Sequence, residues 1–218
     1  MILLSEMRGA VRLLRLNRPG KRNALSVALC AALVEALRAA EADSSVDAVV
    51  LAGEGAGFCA GGDLEERRVL ADDPAAWQAR AALADAVLAA PGIMAKPVVA
   101  AVHGRVVGMG ASLMLGCDMV VAAEDALITW PEARHCIWPA LVMPQLLRHL
   151  GPKDAFEILA TGRPLDAAEA RVLRLVNRVV ARDALLDEAC TLSAAAAQYG
   201  PESLRGIKAM IDAAGGRR

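Results

Sequence analysis

Twice along this chain a short, wholly apolar run ends in a glycine-rich loop. Ala48 to Ala52 leads into Gly-Glu-Gly-Ala-Gly-Phe-Cys-Ala-Gly-Gly-Asp-Leu (53–64). Pro97 to Val102 leads, through His103, into Gly-Arg-Val-Val-Gly-Met-Gly-Ala-Ser (104–112). Apolar runs this short and continuous suit strands buried on both faces. The glycines break regular structure, so each strand must end where its loop begins. Helical patterns fall between and after them. Ser26 is placed to cap a helix running to about Ala42, with Leu29, Leu33 and Leu37 on one face. Asp73-Pro74 opens a helix that Pro91-Gly92 closes, and Ala111 to Gly116 starts a helix directly after the second loop. Val11 to Asn17 alternates as a strand does, before Asn-Arg-Pro-Gly (17–20) forces a turn. Met119 to Ala123 and Ala126 to Trp130 read as short strands.

From Leu141 onward the pattern is mostly helical, with Asp166 and Glu169 spaced as a capping-box-like pair and helices expected over 183–198 and 203–213. Strands interleaved with helices, followed by helices alone, predict an α/β core with a helical C-terminal region. A length of 218 residues suits one domain, with the core over about 1–140 and the helical region over about 141–218. Hydrophobic residues make up 56%, enough to bury a core and exclude disorder. Aromatics are only 3%, so that core must be built from Ala, Val, Leu, Ile and Met. The balance of 24 basic against 25 acidic residues argues against nucleic-acid binding, which needs a basic excess, but leaves room for a small phosphorylated ligand.

Mean hydropathy is high, at +0.39. Yet no uncharged run reaches the roughly 18 residues of a spanning helix; Val106 to Cys117 and His135 to Leu147 are shorter and broken by Gly or Pro. The N-terminus lacks a basic region ahead of an apolar stretch, which argues against a secretory signal. Cys30, Cys59, Cys117, Cys136 and Cys190 are odd in number and widely spaced. They read as buried apolar side chains in a reducing cytoplasm, not as disulfides or metal ligands. A cytoplasmic protein is therefore expected.

The two loops carry the candidate chemistry. Neither matches a Walker A loop, and the first breaks the dinucleotide spacing. Glycines there serve either tight turns or the close approach of bare backbone N–H groups to a ligand. In the second case, two loops, one opening a helix at Ala111, would aim two donors and a helix dipole at one developing negative charge.

Several ordered motifs extend this reading. They are Leu16-Asn17-Arg18-Pro19 with Asn23-Ala24-Leu25; Phe58 to Leu64; Ala101-Val102-His103-Gly104 through Gly108-Met109-Gly110 to Cys117-Asp118; and Trp130-Pro131-Glu132. Pro139, Leu150-Gly151, Ala160-Thr161-Gly162 and the run Leu175 to Val180 complete the order. Each is weak alone, but the ordered set is specific. Over about residues 10 to 212 the chain resembles the crotonase (enoyl-CoA hydratase/isomerase) superfamily.

The resemblance implies a spiral of β-β-α repeats with a helical C-terminal region, assembled as a trimer or a dimer of trimers. It implies an acyl-CoA substrate whose thioester enolate is stabilised by two backbone N–H groups, here Gly62 and Met109. The family often has glycine at the second place; methionine can still donate, and its side chain would narrow the acyl pocket. Hydratases of the family use two glutamates that share a water. One corresponds to Ser112 here, while the other is retained as Glu132. Serine can hold a water but cannot take its proton at neutral pH. A single carboxylate can still carry a proton between carbons, and apolar surroundings would disfavour its charge and suit it to that exchange. The residues thus lean toward double-bond isomerisation over hydration. Coenzyme A contacts are implied at Arg22, Ala24, Ala60, Gly61, Asp63 and Leu64. Coenzyme A enters as part of the substrate; no permanently bound cofactor, metal, nucleic acid or membrane is expected.

Other residues have plainer readings. Asp63 reads as a helix cap, Asp118 as a structural acid and His103 as a structural hydrogen-bonding group. His135, three residues beyond Glu132, could tune it. Trp130 and Trp138 read as packing residues or as walls of an acyl pocket. Nothing indicates an activated Cys59 thiolate. Relative to the family, the helical C-terminal region is shorter than usual. Two alternatives remain open: an acyl-CoA-binding protein without chemistry, and another reaction of the same oxyanion type, such as thioester hydrolysis or decarboxylation.

Overall fold

The computed structural model describes residues 1–135, 140 and 142–214. The chain opens with an antiparallel hairpin, β1 (Leu3–Arg8) and β2 (Val11–Leu16), in which Leu3 faces Leu16 and Arg8 faces Val11. The Ser26 side chain accepts from the Leu29 N–H and starts α1 (Val27–Ala42), which buries Leu29, Cys30, Leu33, Val34, Leu37 and Ala40 along one stripe. β3 (Ala48–Gly53) follows, then α2 (Leu64–Val69) and α3 (Pro74–Ile93). Next come β4 (Val98–Val102), β5 (Arg105–Val107), α4 (Met109–Gly116), β6 (Met119–Ala123) and β7 (Leu127–Thr129). A 3-10 turn (Glu132–His135) precedes α5 (Met143–Leu146) and α6 (Pro152–Thr161). β8 (Leu165–Asp166), α7 (Ala167–Val172), β9 (Arg178–Val180), α8 (Leu185–Ala197) and α9 (Gly200–Ala213) complete the described chain.

A six-stranded sheet runs β1-β2-β3-β4-β6-β9, parallel from β2 onward. A smaller sheet runs β5-β7-β8. The wholly apolar strands are explained by cover on both faces. Val98, Ala100 and Val102 of β4 join a large core with α1, α3 and α4. Val99 and Ala101 point the other way, into a second core that Leu185 and Ala189 of α8 close. Among the described residues, no helix is long and apolar enough to cross a membrane.

Three expectations need correction. The stretch 104–110 is not all loop: Arg105–Val107 pairs with β7 as β5, because a partner strand from elsewhere in the chain completes its hydrogen bonds. The helix after it begins at Met109 rather than Ala111. The region after Leu141 is not helical alone, since β8 and β9 return to the two sheets. These strands are only two and three residues long, too short to show a period of two. β1 and α2 also lie in stretches to which the sequence assigned no element. Cys136, Trp138 and Pro139 lie outside the described residues.

Candidate active site

The first loop is stitched along β5. The Phe58 N–H donates to the His103 carbonyl at 2.9 Å, Cys59 N–H to Arg105 O at 3.3 Å, and Val107 N–H to Cys59 O at 2.9 Å. Contact is so close that a Cβ on Gly110 would lie 2.7 Å from Cys59 Sγ. Glycine there is required by loop-on-loop packing as much as by any ligand.

The turn before α1 locks the other side of this loop. Arg22 and Asn23 both adopt left-handed backbone, at φ 51° and 56°. Asparagine tolerates that region better than most residues. Asn23 is wholly buried. Its Oδ1 accepts from the Arg18 N–H at 2.8 Å, and its Nδ2 donates to the carbonyls of Glu54 at 2.8 Å and Gly57 at 3.0 Å. The Ala60 N–H donates to Arg22 O at 2.9 Å and the Leu25 N–H to Gly61 O at 2.8 Å. In the sequence Asn23 stands out only as part of a motif; its role follows from a backbone conformation that no spacing reveals.

Gly61 turns at φ 89°, and a Cβ there would sit 2.9 Å from Val107 O and 3.5 Å from Met109 N. A Cβ on Gly62 would lie 3.9 Å from Met109 Sδ. The two predicted donors are thus neighbours. Among the described residues, neither the Gly62 nor the Met109 N–H donates to another backbone group. Met109 is the first residue of α4, so its N–H belongs to the open, partially positive end of that helix.

Glu132 arrives by the β5–β7 pairing, which sets Val107 beside Thr129. The Gly108 N–H donates to Thr129 O at 2.8 Å. A Cβ on Gly108 would lie 2.7 Å from Glu132 Oε1, so the carboxylate sits over the residue that caps α4. Its Oε2 is buried. Ser112 is fully buried, and its hydroxyl donates to the Gly108 carbonyl at 3.3 Å. Its proton is therefore used within its own helix. Gly62, Met109, Ser112 and Glu132 all converge on Gly108 and its neighbours. His135 belongs to the same 3-10 turn as Glu132.

The expected coenzyme contacts lie where the turn before α1 meets the first loop. Asp63 caps α2, accepting from the N–H groups of Glu65 and Glu66, and pairs with Arg18 at 3.0 Å. Burial pushes its carboxyl up, but the Glu66 N–H and the Arg18 guanidinium outweigh that and hold it below the usual carboxylate range. The Asp63 carboxylate is thereby committed to the fold, in keeping with its reading as a helix cap. Arg18 also donates to the Ala24 carbonyl. Arg22 is exposed, as is Leu64. Lys21 pairs with Glu65 at 2.7 Å.

The plainer readings fit their surroundings. Burial pushes the Cys59 thiol up to about 12, so it is no thiolate. The ring of His103 meets the Gly55 carbonyl at 3.1 Å. Asp118 accepts from the Val98 N–H at 2.8 Å and pairs with Lys208 at 2.6 Å. Trp130 is fully buried in the main core. Among the described residues, no group of three or more side chains could hold a metal. One further residue at the site has no motif to mark it in the sequence. Arg80, from the middle of α3, brings Nη2 within 3.1 Å of where a Gly62 Cβ would be.

The layered spiral and this loop arrangement define a known class of fold. The chain aligns with the crystal structure of an enoyl-CoA hydratase from Polaromonas sp. JS666 at a TM-score of 0.93 and 33% identity, covering 99% of this chain and 85% of that one. A Thermus thermophilus relative carrying an enoyl-CoA hydratase name is 39% identical over 209 residues, 94% of this chain and 81% of its own. The 2,3-dehydroadipyl-CoA hydratase of Escherichia coli K12 is 36% identical over 206 residues, 91% of this chain and 76% of its own. The family model described as enoyl-CoA hydratase/isomerase matches residues 6–217, and the chain belongs to that family.

Proposed function

We propose that this enzyme binds an acyl-CoA thioester, holds its enolate oxygen with the N–H groups of Gly62 and Met109, and moves a proton with Glu132, favouring double-bond isomerisation over hydration. With a 3-enoyl-CoA, the Glu132 carboxylate takes a proton from C2. The electrons of that C–H bond pass into a dienolate whose charge rests on the thioester oxygen. The same carboxyl then returns a proton to C4, giving the conjugated 2-enoyl-CoA and restoring the carboxylate. Each fixed oxyanion donor contributes about 2.7–4 kcal/mol to such a transition state. Backbone around Arg22, Ala24, Ala60, Gly61 and Leu64 would carry the coenzyme. A trimer or dimer of trimers would offer cover to the exposed Ile207, Met210 and Ile211 of α9.

The observation that carries the preference is Ser112. A buried hydroxyl bonded to its own helix stands where a hydratase of this type has a second carboxylate. Hydration is the second reading, favoured by the hydratase names of the relatives. The discriminating experiment incubates the protein with a 3-enoyl-CoA in deuterated water and follows products by proton NMR and mass. Conversion to 2-enoyl-CoA without a 3-hydroxyacyl product is expected, and Glu132→Gln should slow it about 10²–10⁴-fold. A 3-hydroxyacyl-CoA would establish hydration instead. Binding of CoA thioesters without product or deuterium exchange would leave a non-catalytic binder.

A further inference from the structure

We propose that Arg80 selects the acyl group, and that the substrate carries a carboxylate on a short acyl chain. The inference rests on the acyl-CoA reading above. Arg80 lines a small cavity with Leu25, Val27, Cys30, Leu83, Ala84 and Met109. Apart from the guanidinium, these walls are apolar. The cavity holds about 10 Å³, barely one water, so it marks where the guanidinium meets the donors and is not itself a pocket for an acyl chain. Met109 and Gly62, the two backbone donors, border the same guanidinium. A group bound by Arg80 is therefore only a few carbons from the thioester.

The charge is poorly matched by the protein itself. The Arg80 side chain is 14% exposed. Its Nε is buried and makes no hydrogen bond among the described residues. The nearest carboxylate oxygen, Glu66 Oε2, is 3.8 Å from that Nε, too far for a hydrogen bond, and already accepts from the Val27 N–H at 2.8 Å. The ring of Trp77 lies 5.8 Å from the guanidinium carbon and supplies only a cation–π contact. A buried cation so weakly countered is costly. A carboxylate matches the planar fork of a guanidinium with two parallel hydrogen bonds. An acyl carboxylate would complete the site, whereas an alkyl group would leave the charge uncompensated.

The test uses two saturated thioesters of equal length, glutaryl-CoA and valeryl-CoA, so that binding is read without turnover. Dissociation constants are measured by calorimetry on the wild-type protein, Arg80→Met and Arg80→Lys. The wild type is expected to prefer glutaryl-CoA at least about tenfold, a preference within reach of one charged hydrogen-bonded pair. That ratio should fall to about one in Arg80→Met and to an intermediate value in Arg80→Lys. A wild-type ratio near one, or a ratio unchanged in Arg80→Met, would overturn the proposal while leaving the acyl-CoA reading intact. Failure of both thioesters to bind the wild type would remove that reading and this proposal with it. Circular dichroism of each variant separates lost selectivity from lost fold.

Discussion

Gly108 links the two halves of the candidate chemistry. It caps α4 at φ 52°, a backbone that side chains resist, and Glu132 Oε1 occupies the space a Cβ would need. Gly108→Ala should displace the carboxylate and lower kcat about 100-fold, with a smaller change in thioester affinity. Steady-state kinetics beside calorimetry would check this split. Asn23 makes a comparable prediction for stability. Asn23→Ala leaves the Glu54 and Gly57 carbonyls and the Arg18 N–H without their partner. The expected loss is about 1–3 kcal/mol, read from the urea midpoint. At this scale motif order singles out Gly62, Met109, Ser112 and Glu132, which the fold brings together around Gly108 and Met109. It was silent where a role depends on tertiary approach. Arg80 sits in an alanine-rich helix whose pattern marks it only as one more surface charge.

At the scale of elements, the difference between β4 and α2 decides where motion is expected. Every residue of β4 is buried, while α2 buries none and leaves Leu64 and Val69 exposed. Native-state hydrogen exchange should therefore find the β4 amides protected to near the global unfolding free energy, with α2 opening far more readily. Slow exchange throughout α2 would count against this. The apolar runs that became β3, β4 and β6 were legible because cover on both faces leaves an unbroken signature. β5, β8 and β9 were not, because strands of two or three residues owe their existence to a partner and not to their own pattern. Capping chemistry was the most reliable local signal: Ser26, Asp73 and Asp166 each open a helix and accept from N–H groups of its first turn.

For the whole molecule, pH acts through groups that tie its parts together. His103 follows β4 and meets the first loop at Gly55. Burial, helped by the positive charge of Arg182, pushes its pKa below the ordinary 6.5. The folded protein thus resists protonation that the unfolded chain accepts. Stability should be level above about pH 6.5 and fall as pH drops from there toward the lower folded value. Thermal midpoints at pH 7.5 and 5.5 should differ less in His103→Gln than in the wild type. The depressed Asp63 carboxyl acts further down: its contribution is held above its ordinary 3.8 and lost as pH falls below that.

The second core has a consequence for the order in which the protein is made. Val11 and Leu13 of β2, Val50 of β3 and Val99 of β4 share a face that α8 closes with Leu185 and Ala189, and β9 finishes the sheet only at Arg178–Val180. On the ribosome, these strands must therefore wait for a helix that is translated well after them. Until then the nascent sheet offers one bare apolar face to chaperones, and a stall in translation between Asn177 and Leu185 would leave it there.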